Sequence, residues 1–342
     1  MISRTLLATV AAITLLNSSI AFAGSASLLS GKSEIRFTAD KNYAESASWS
    51  ATQKRFFIGS VTHGAIGTVS PDGAYKPFTT DETLVSTVGI FVDDARNTLW
   101  AANSDPGAGD RTSAATQGKL AGVAKYDLAT GKRLAYYDLG SLTEGSHFAN
   151  DIALDEQGNA YVTDSFAPII YKIDTSGKAT IFAQNPLFKD ADGFNLNGIA
   201  YHDGGYLLVG KYNSGDLFKV SISNPADAQK VTLPEPIKGA DGFNLFDGKR
   251  LFVAVNLGVD KTIELVSTND WKTAKIDREV KSTASMPTAP TRVGDDIWVL
   301  NSRLDTLSIR KRKRSATLCC RNSDKCQAGP TQVCVGPDAH IS

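Results

Sequence analysis

The stretch FANDIALDEQGNAYVTDS, residues 148–165, decides the fold. A polar pair, Asn150-Asp151, opens a short apolar strand. Asp155-Glu156-Gln157-Gly158 makes a turn, and a second apolar strand carries the large Tyr161 eleven positions after the opener. The same pattern starts at Glu45, Val88, Asn197 and Asp241, where the eleventh residue on is Phe56, Leu99, Leu208 and Phe252. A sixth copy starts near Ala289 and reaches Trp298 through a shorter turn. Successive openers are 43, 62, 47, 44 and 48 residues apart, the period of a four-stranded propeller blade.

The remainder of each repeat fits two more strands. Ile169 to Ile173 and Ala179 to Ala183 flank a turn at Asp174-Thr175-Ser176-Gly177, and Ser70-Pro71-Asp72-Gly73 repeats the device. Helical periodicity is nearly absent, and a β-helix or sandwich would not favour six units of this length. The expected fold is therefore all-β: one six-bladed β-propeller over 24–309 with four-stranded blades. The last blade supplies about three strands by Ile309, so Ile35-Arg36-Phe37 is expected to add the fourth and close the ring.

The 342 residues carry 36 Lys+Arg and 36 Asp+Glu, but this neutrality is a sum over unlike segments. Residues 1–23 read as a cleavable secretory signal, with Arg4, an apolar run from Leu6 to Leu16 and Ala21-Phe22-Ala23 before Gly24. The run is too short to span a bilayer and no later segment is long enough, so the expected mature protein is secreted or periplasmic with no membrane span. Residues 310–342 form a basic tail, Arg310-Lys311-Arg312-Lys313-Arg314, followed by all four cysteines, Cys319, Cys320, Cys326 and Cys334. Their spacing is a poor match to a zinc ribbon. The tail reads as disordered or non-native, because the strand pattern stops in mid-repeat as it would after a reading-frame change. The body from 24 to 309 then holds 28 basic and 34 acidic residues, a net charge of −6, and no nucleic-acid partner is expected.

In a propeller the first strand of each blade lines the central channel, so six openers converge on one axis. Four bear oxygen: Glu45, Asn150, Asn197 and Asp241. Two carboxylates and two amide carbonyls on separate strands suit a hard divalent cation such as Ca2+. The same residue types also serve as hydrogen-bonding groups at strand entries.

These dipeptides, with Glu45-Ser-Ala-Ser-Trp49, Asn150-Asp151, Asn197-Gly198 and Asp241-Gly242 in this order, resemble the strand entries of the regucalcin/gluconolactonase (senescence marker protein) family, relatives of the paraoxonases. The resemblance covers most of residues 34 to 305. It implies a divalent cation at the channel mouth, hydrolysis of a lactone or related ester, and Glu45, Asn150, Asn197 and Asp241 as metal ligands. It further implies Lewis-acid catalysis with a carboxylate as base, Asp241 first and Asp151 second. The family's sugar-lactone hydrolases carry Arg where this chain has Phe148, so the wall suits an apolar lactone or aryl ester. His147 is a third base candidate by analogy with the paraoxonases, and His63 should share its rim. Second strands ending in Asn103, Asp164, Asn256 and Asn301 offer substrate contacts, and the insertion from Asn103 to Leu120 reads as a lid or a surface loop. Two other readings stand beside the hydrolase: a non-catalytic binding propeller with a structural calcium, and a strictosidine-synthase-like enzyme.

Overall fold

A computed structural model describes residues 29, 32–190 and 193–307, together with the backbone of 332–337. The readings of the export signal at 1–23 and of Cys319, Cys320 and Cys326 fall outside these residues. Strand β1 (Ile35–Thr38) precedes the blades. Blade 1 is β2 (Ala47–Ser50), β3 (Arg55–Ile58), β4 (Ile66–Val69) and β5 (Tyr75–Thr79). Blade 2 is β6 (Ser86–Asp93), β7 (Thr98–Ser104), β8 (Ala121–Asp127) and β9 (Arg133–Asp138). Blade 3 is β10 (Ala149–Leu154), β11 (Ala160–Asp164), β12 (Ile169–Ile173) and β13 (Ala179–Gln184). Blade 4 is β14 (Leu196–His202), β15 (Tyr206–Lys211), β16 (Leu217–Ser221) and β17 (Ala228–Lys230). Blade 5 is β18 (Ala240–Asp247), β19 (Arg250–Val255), β20 (Lys261–Val266) and β21 (Lys275–Lys281).

The all-β propeller with four-stranded blades is as expected, but its count and closure differ. Five blades consist of consecutive antiparallel strands and form an open ring. A further four-stranded sheet joins β22 (Pro287–Val293), β23 (Asp296–Asn301), β24 (Gln332–Pro337) and β1, in the order β22-β23-β24-β1. Thus in this sheet, among the described residues, two strands from the last repeat precede residue 309, where about three were expected, and the third lies in 332–337. Its backbone pairs on one side with β23 and on the other with β1. Among the described residues no helix is long and apolar enough to cross a membrane.

Packing explains the eleven-residue rule. Phe56, Leu99, Tyr161, Leu208, Phe252 and Trp298 all lie on second strands and are 5% exposed or less. Each is wedged against a neighbouring sheet: Phe56 with Trp298, Leu99 with Phe57, Tyr161 with Leu207, Leu208 with Leu251, and Phe252 with Ile297. Burying one such side chain contributes roughly 1.5–3 kcal/mol. Exposure rises outward, so the fourth strand β21 alternates between half-buried and exposed.

Inner strands carry a second regularity. The ladder between first and second strands breaks between Thr87 and Ile90, Ala149 and Ile152, Leu196 and Ile199, Ala240 and Phe243, and Pro287 and Ala289. Each irregularity falls on an opener. A bulge re-aims the side chain it carries and leaves backbone groups without ladder partners. Hydroxyls of the adjacent blade take up several of the carbonyls: Ser104 donates to Ala149 O (2.7 Å), Ser165 to Leu196 O (2.6 Å) and Thr163 to Asn197 O (2.7 Å). The bulge also places the opener of the sixth copy, expected near Ala289, at Thr288.

Candidate functional site

Two cavities meet at the openers. The channel side holds about 260 Å³ and is lined by inner-strand residues including Ser46, Asp151, Gly242, Asn244 and Thr288. The mouth side holds about 390 Å³ and has Val88, Phe148, Phe194, Tyr212, Asn256 and Leu307 among its walls. Four residues line both: Glu45, Asn150, Asn197 and Asp241. The four oxygen-bearing openers read from the sequence are thus brought together as the floor between channel and mouth.

This floor concentrates negative charge. Burial, then the charges of Asp241 and Asp151, push the Glu45 carboxyl well above the ordinary range. Burial likewise raises Asp241, reinforced by Asp151 and opposed by hydrogen bonds from the Asn256 and Asn197 side chains. Asp151 is pushed up to about 7 by burial, although the N–H groups of Ile152, Ile199 and Phe243 pull it back. Among the described residues no Lys, Arg or His lines either cavity. The amide of Asn150 donates to Ser165 Oγ (2.8 Å), and Tyr212 donates to Asn256 Oδ1 (2.7 Å), whose own amide donates to Asp241 Oδ2.

The fit of a cation can be judged from this arrangement. Among the described residues no group of three or more His, Cys, Asp and Glu is placed to hold a metal ion. A cation on this floor therefore depends on the two amide oxygens as much as on the carboxylates. The oxygen Asn197 Oδ1 is buried with no hydrogen-bond partner, an arrangement that leaves an acceptor facing a site with surplus negative charge. Thr288 Oγ1, on the opener of the sixth copy, is orphaned in the same way. The donor set is thus all oxygen and fits a hard divalent ion.

The other predicted site residues separate into two groups. Asp151 lines the channel but not the mouth, and its carboxylate holds backbone N–H groups of blades 3, 4 and 5 together. Phe148 and Asn256 line the mouth. Asn103, Asp164, Asn301 and His147 line neither cavity. The reason is register: Asn103, Asp164 and Asn301 pair with the residue before each opener, whereas Asn256 lies one residue further along. Side chains alternate sides along a strand, so a one-residue offset turns them away from the mouth.

Asn103 and Asp164 clamp the loop that delivers the opener, whereas Asn301 Oδ1 is buried with no hydrogen-bond partner. Asn103 donates to Thr83 O (3.0 Å) and accepts from Val85 N (2.8 Å). Asp164 accepts from Phe148 N (2.9 Å), Tyr171 OH (2.8 Å) and His147 Nδ1 (2.8 Å). His147 Nε2 lies 3.1 Å from Thr143 O, so both ring nitrogens are engaged, and its bond to Asp164 raises the imidazole against its burial. His63 lies between Asp110 (2.7 Å) and Asp40 O (2.9 Å), away from both cavities. In the insertion, Asp105 accepts from Gly107 N, Thr112 and Thr116, which sets Pro106 and Ala108 in the mouth wall.

Sequence reasoning missed Thr288, Tyr212, Phe194, Met286, Leu304 and Leu307. A signal existed for Tyr212: one residue past Lys211, it holds the register of Asn256, Ser165 and Ser302. Thr288 lies in the bulge of β22, and Phe194, Met286, Leu304 and Leu307 come from connecting segments, which no repeat marks.

No family model and no curated protein matches the chain. Solved structures do resemble it. The major Malassezia sympodialis allergen Mala s 1 superposes with a TM-score of 0.68 at 15% identity, over 89% of this chain and 95% of that one. Virginiamycin B lyase from Staphylococcus aureus, an inactive variant solved with quinupristin, gives 0.55 at 15% identity, over 78% and 80%. A protein provisionally assigned as a gluconolactonase gives 0.54 at 15% identity, over 78% and 88%. At these identities the likeness shows the fold alone.

Proposed function

We propose that the protein is an exported, divalent-metal-dependent hydrolase of lactones or related esters, related to the regucalcin/gluconolactonase family. One observation carries this reading: the residues shared by channel and mouth are two carboxylates and two amides, with no cationic side chain on either cavity among the described residues. Glu45, Asn150, Asn197 and Asp241 would hold the ion, with Ca2+ the expected species. Such an ion supplies Lewis-acid polarisation of a carbonyl oxygen and stabilises charge developing there. The Asp241 carboxylate, oriented by Asn256 and Asn197, takes the proton from the attacking water. The apolar mouth wall excludes water from the remainder of the substrate. The fold shared with the provisionally assigned gluconolactonase is compatible with this reaction class.

The β22-β23-β24-β1 sheet completes a sixth blade in this reading, supported by packing of Phe37 and Trp298 against Phe56. Residues 1–23 act as the export signal. A second reading, a binding propeller with a structural ion, is favoured by the absence of any described histidine at the mouth. Metal analysis with a lactone panel, followed by acid release with and without chelator, separates the two. Bound calcium and chelator-sensitive turnover are expected. In Asp241→Asn and Glu45→Gln calcium content should fall, and unchanged content in both would refute the assigned ligands.

A further inference from the structure

The mouth cavity is chemically two-sided. Its floor offers carboxylate and amide groups, while its walls are mostly apolar and come from separate parts of the chain. One wall is aromatic: the Phe148 ring meets Phe194 edge-on at 5.7 Å, and Phe194 meets Tyr212 at 6.0 Å. The facing wall includes Met286, Leu304 and Leu307. The last two lie on the segment after β23, which folds back through bonds from Ser302 N to Met286 O (2.8 Å), Arg303 N to Ser285 O (3.2 Å) and Ser285 Oγ to Asp305 Oδ1 (2.9 Å). The polar wall groups are already committed, since Tyr212 donates to Asn256 and Asn256 donates to Asp241 and Pro287 O.

A polyhydroxylated ligand would bury hydroxyls against walls that cannot pair them, at a cost of order 1–3 kcal/mol each. An anionic group on the ligand would find no described Lys or Arg on the walls to pair with. We infer that the site takes an uncharged lactone or ester whose reacting carbonyl lies at the floor and whose alkyl or aryl group fills the mouth. Phe194 and Leu304 are its specificity-determining residues. At about 30 Å³ per non-hydrogen atom, about 390 Å³ holds roughly a dozen such atoms. The inference rests on the hydrolase reading for the carbonyl, but the apolar selectivity can be measured without turnover.

The test uses the calcium-loaded full chain and the small neutral fluorophore 2-methoxynaphthalene, displaced by γ-lactones. With alkyl groups of roughly two to ten carbons, affinity should rise about threefold to fourfold per methylene and level off once the cavity is full. Gluconolactone should not displace the probe. Phe194→Asp, at a side chain 37% exposed and so tolerant of charge, should weaken binding at least about tenfold. Leu304→Arg should do the same, and the control Leu134→Asp, on the outer strand β9, should leave it unchanged. Displacement by gluconolactone equal to that by alkyl lactones, no probe binding, or unaltered binding in both wall variants would overturn the inference. Chain-length-dependent binding without acid release would refute the hydrolase and keep the apolar selectivity. Turnover of gluconolactone without probe binding would do the reverse.

Discussion

Glu45, Asp151 and Asp241 share one electrostatic fate, and its pH dependence has a definite sign. Each carboxyl binds its proton more tightly in the folded chain than in the unfolded one, so the folded state holds more protons. Stability is therefore full below the unfolded values of 3.8 for Asp and 4.5 for Glu, and falls as pH rises towards the folded value, about 7 for Asp151. The slope is at most about 1.4 kcal/mol per pH unit for each carboxyl. The metal-stripped protein should melt at a lower temperature at pH 8 than at pH 5, and calcium should raise the melting temperature more at pH 8. Calorimetry at both pH values checks this, and an equal calcium effect would show that the floor does not hold the ion. Asp164 tests the positioning role beside it. Asp164→Ala strips partners from the buried His147, Tyr171 and Phe148 N, and should cost about 3 kcal/mol in a denaturant titration. Calcium content at low temperature should hold, because Asp164 faces away from the floor.

At the scale of the strand, the bulge and the glycine beside it bring the blades together. A Cβ on Gly198 would stand 2.2 Å from Asp241 O, one on Gly89 2.1 Å from Asn150 O, and one on Gly242 2.3 Å from Thr288 O. Inner strands therefore touch through their backbones at three of the openers. Gly198→Ala should destabilise the fold by roughly 1–3 kcal/mol and weaken calcium binding, since it displaces the Asp241 backbone. Isothermal titration on the folded fraction would separate the two effects, and wild-type affinity would show that the strands tolerate the spacing. The first and second strands of each blade were legible, because turn residues and a large residue eleven positions on repeat along the chain. Asn103, Asp164 and Asn301 were misread as mouth residues although their strands were correctly placed. Polarity at a strand end does not reveal which side the residue faces, and the bulge that settles the register has no consistent residue signature.

For the whole molecule, the seam between the chain's two ends is the critical join. Ile35 and Phe37 of β1 are 2% exposed and pack with Phe56 of blade 1 and Trp298 of β23. If this sheet completes the ring, Phe37→Ala leaves a cavity at the seam and should cost roughly 3–5 kcal/mol in a denaturant melt. A loss below about 1 kcal/mol would show that β1 contributes little to closure. The repeat, the large second-strand residue and the oxygen-bearing openers were determined by the sequence itself. They follow from what a blade must bury and from the fact that its first strand faces an axis. The tertiary structure alone decided that the sixth opener is Thr288, that His147 stays with Asp164, and that Val61, Phe194 and Leu307 meet over one floor. Those outcomes depend on one-residue register and on loops from distant blades converging at a rim, neither of which a local pattern of residues encodes.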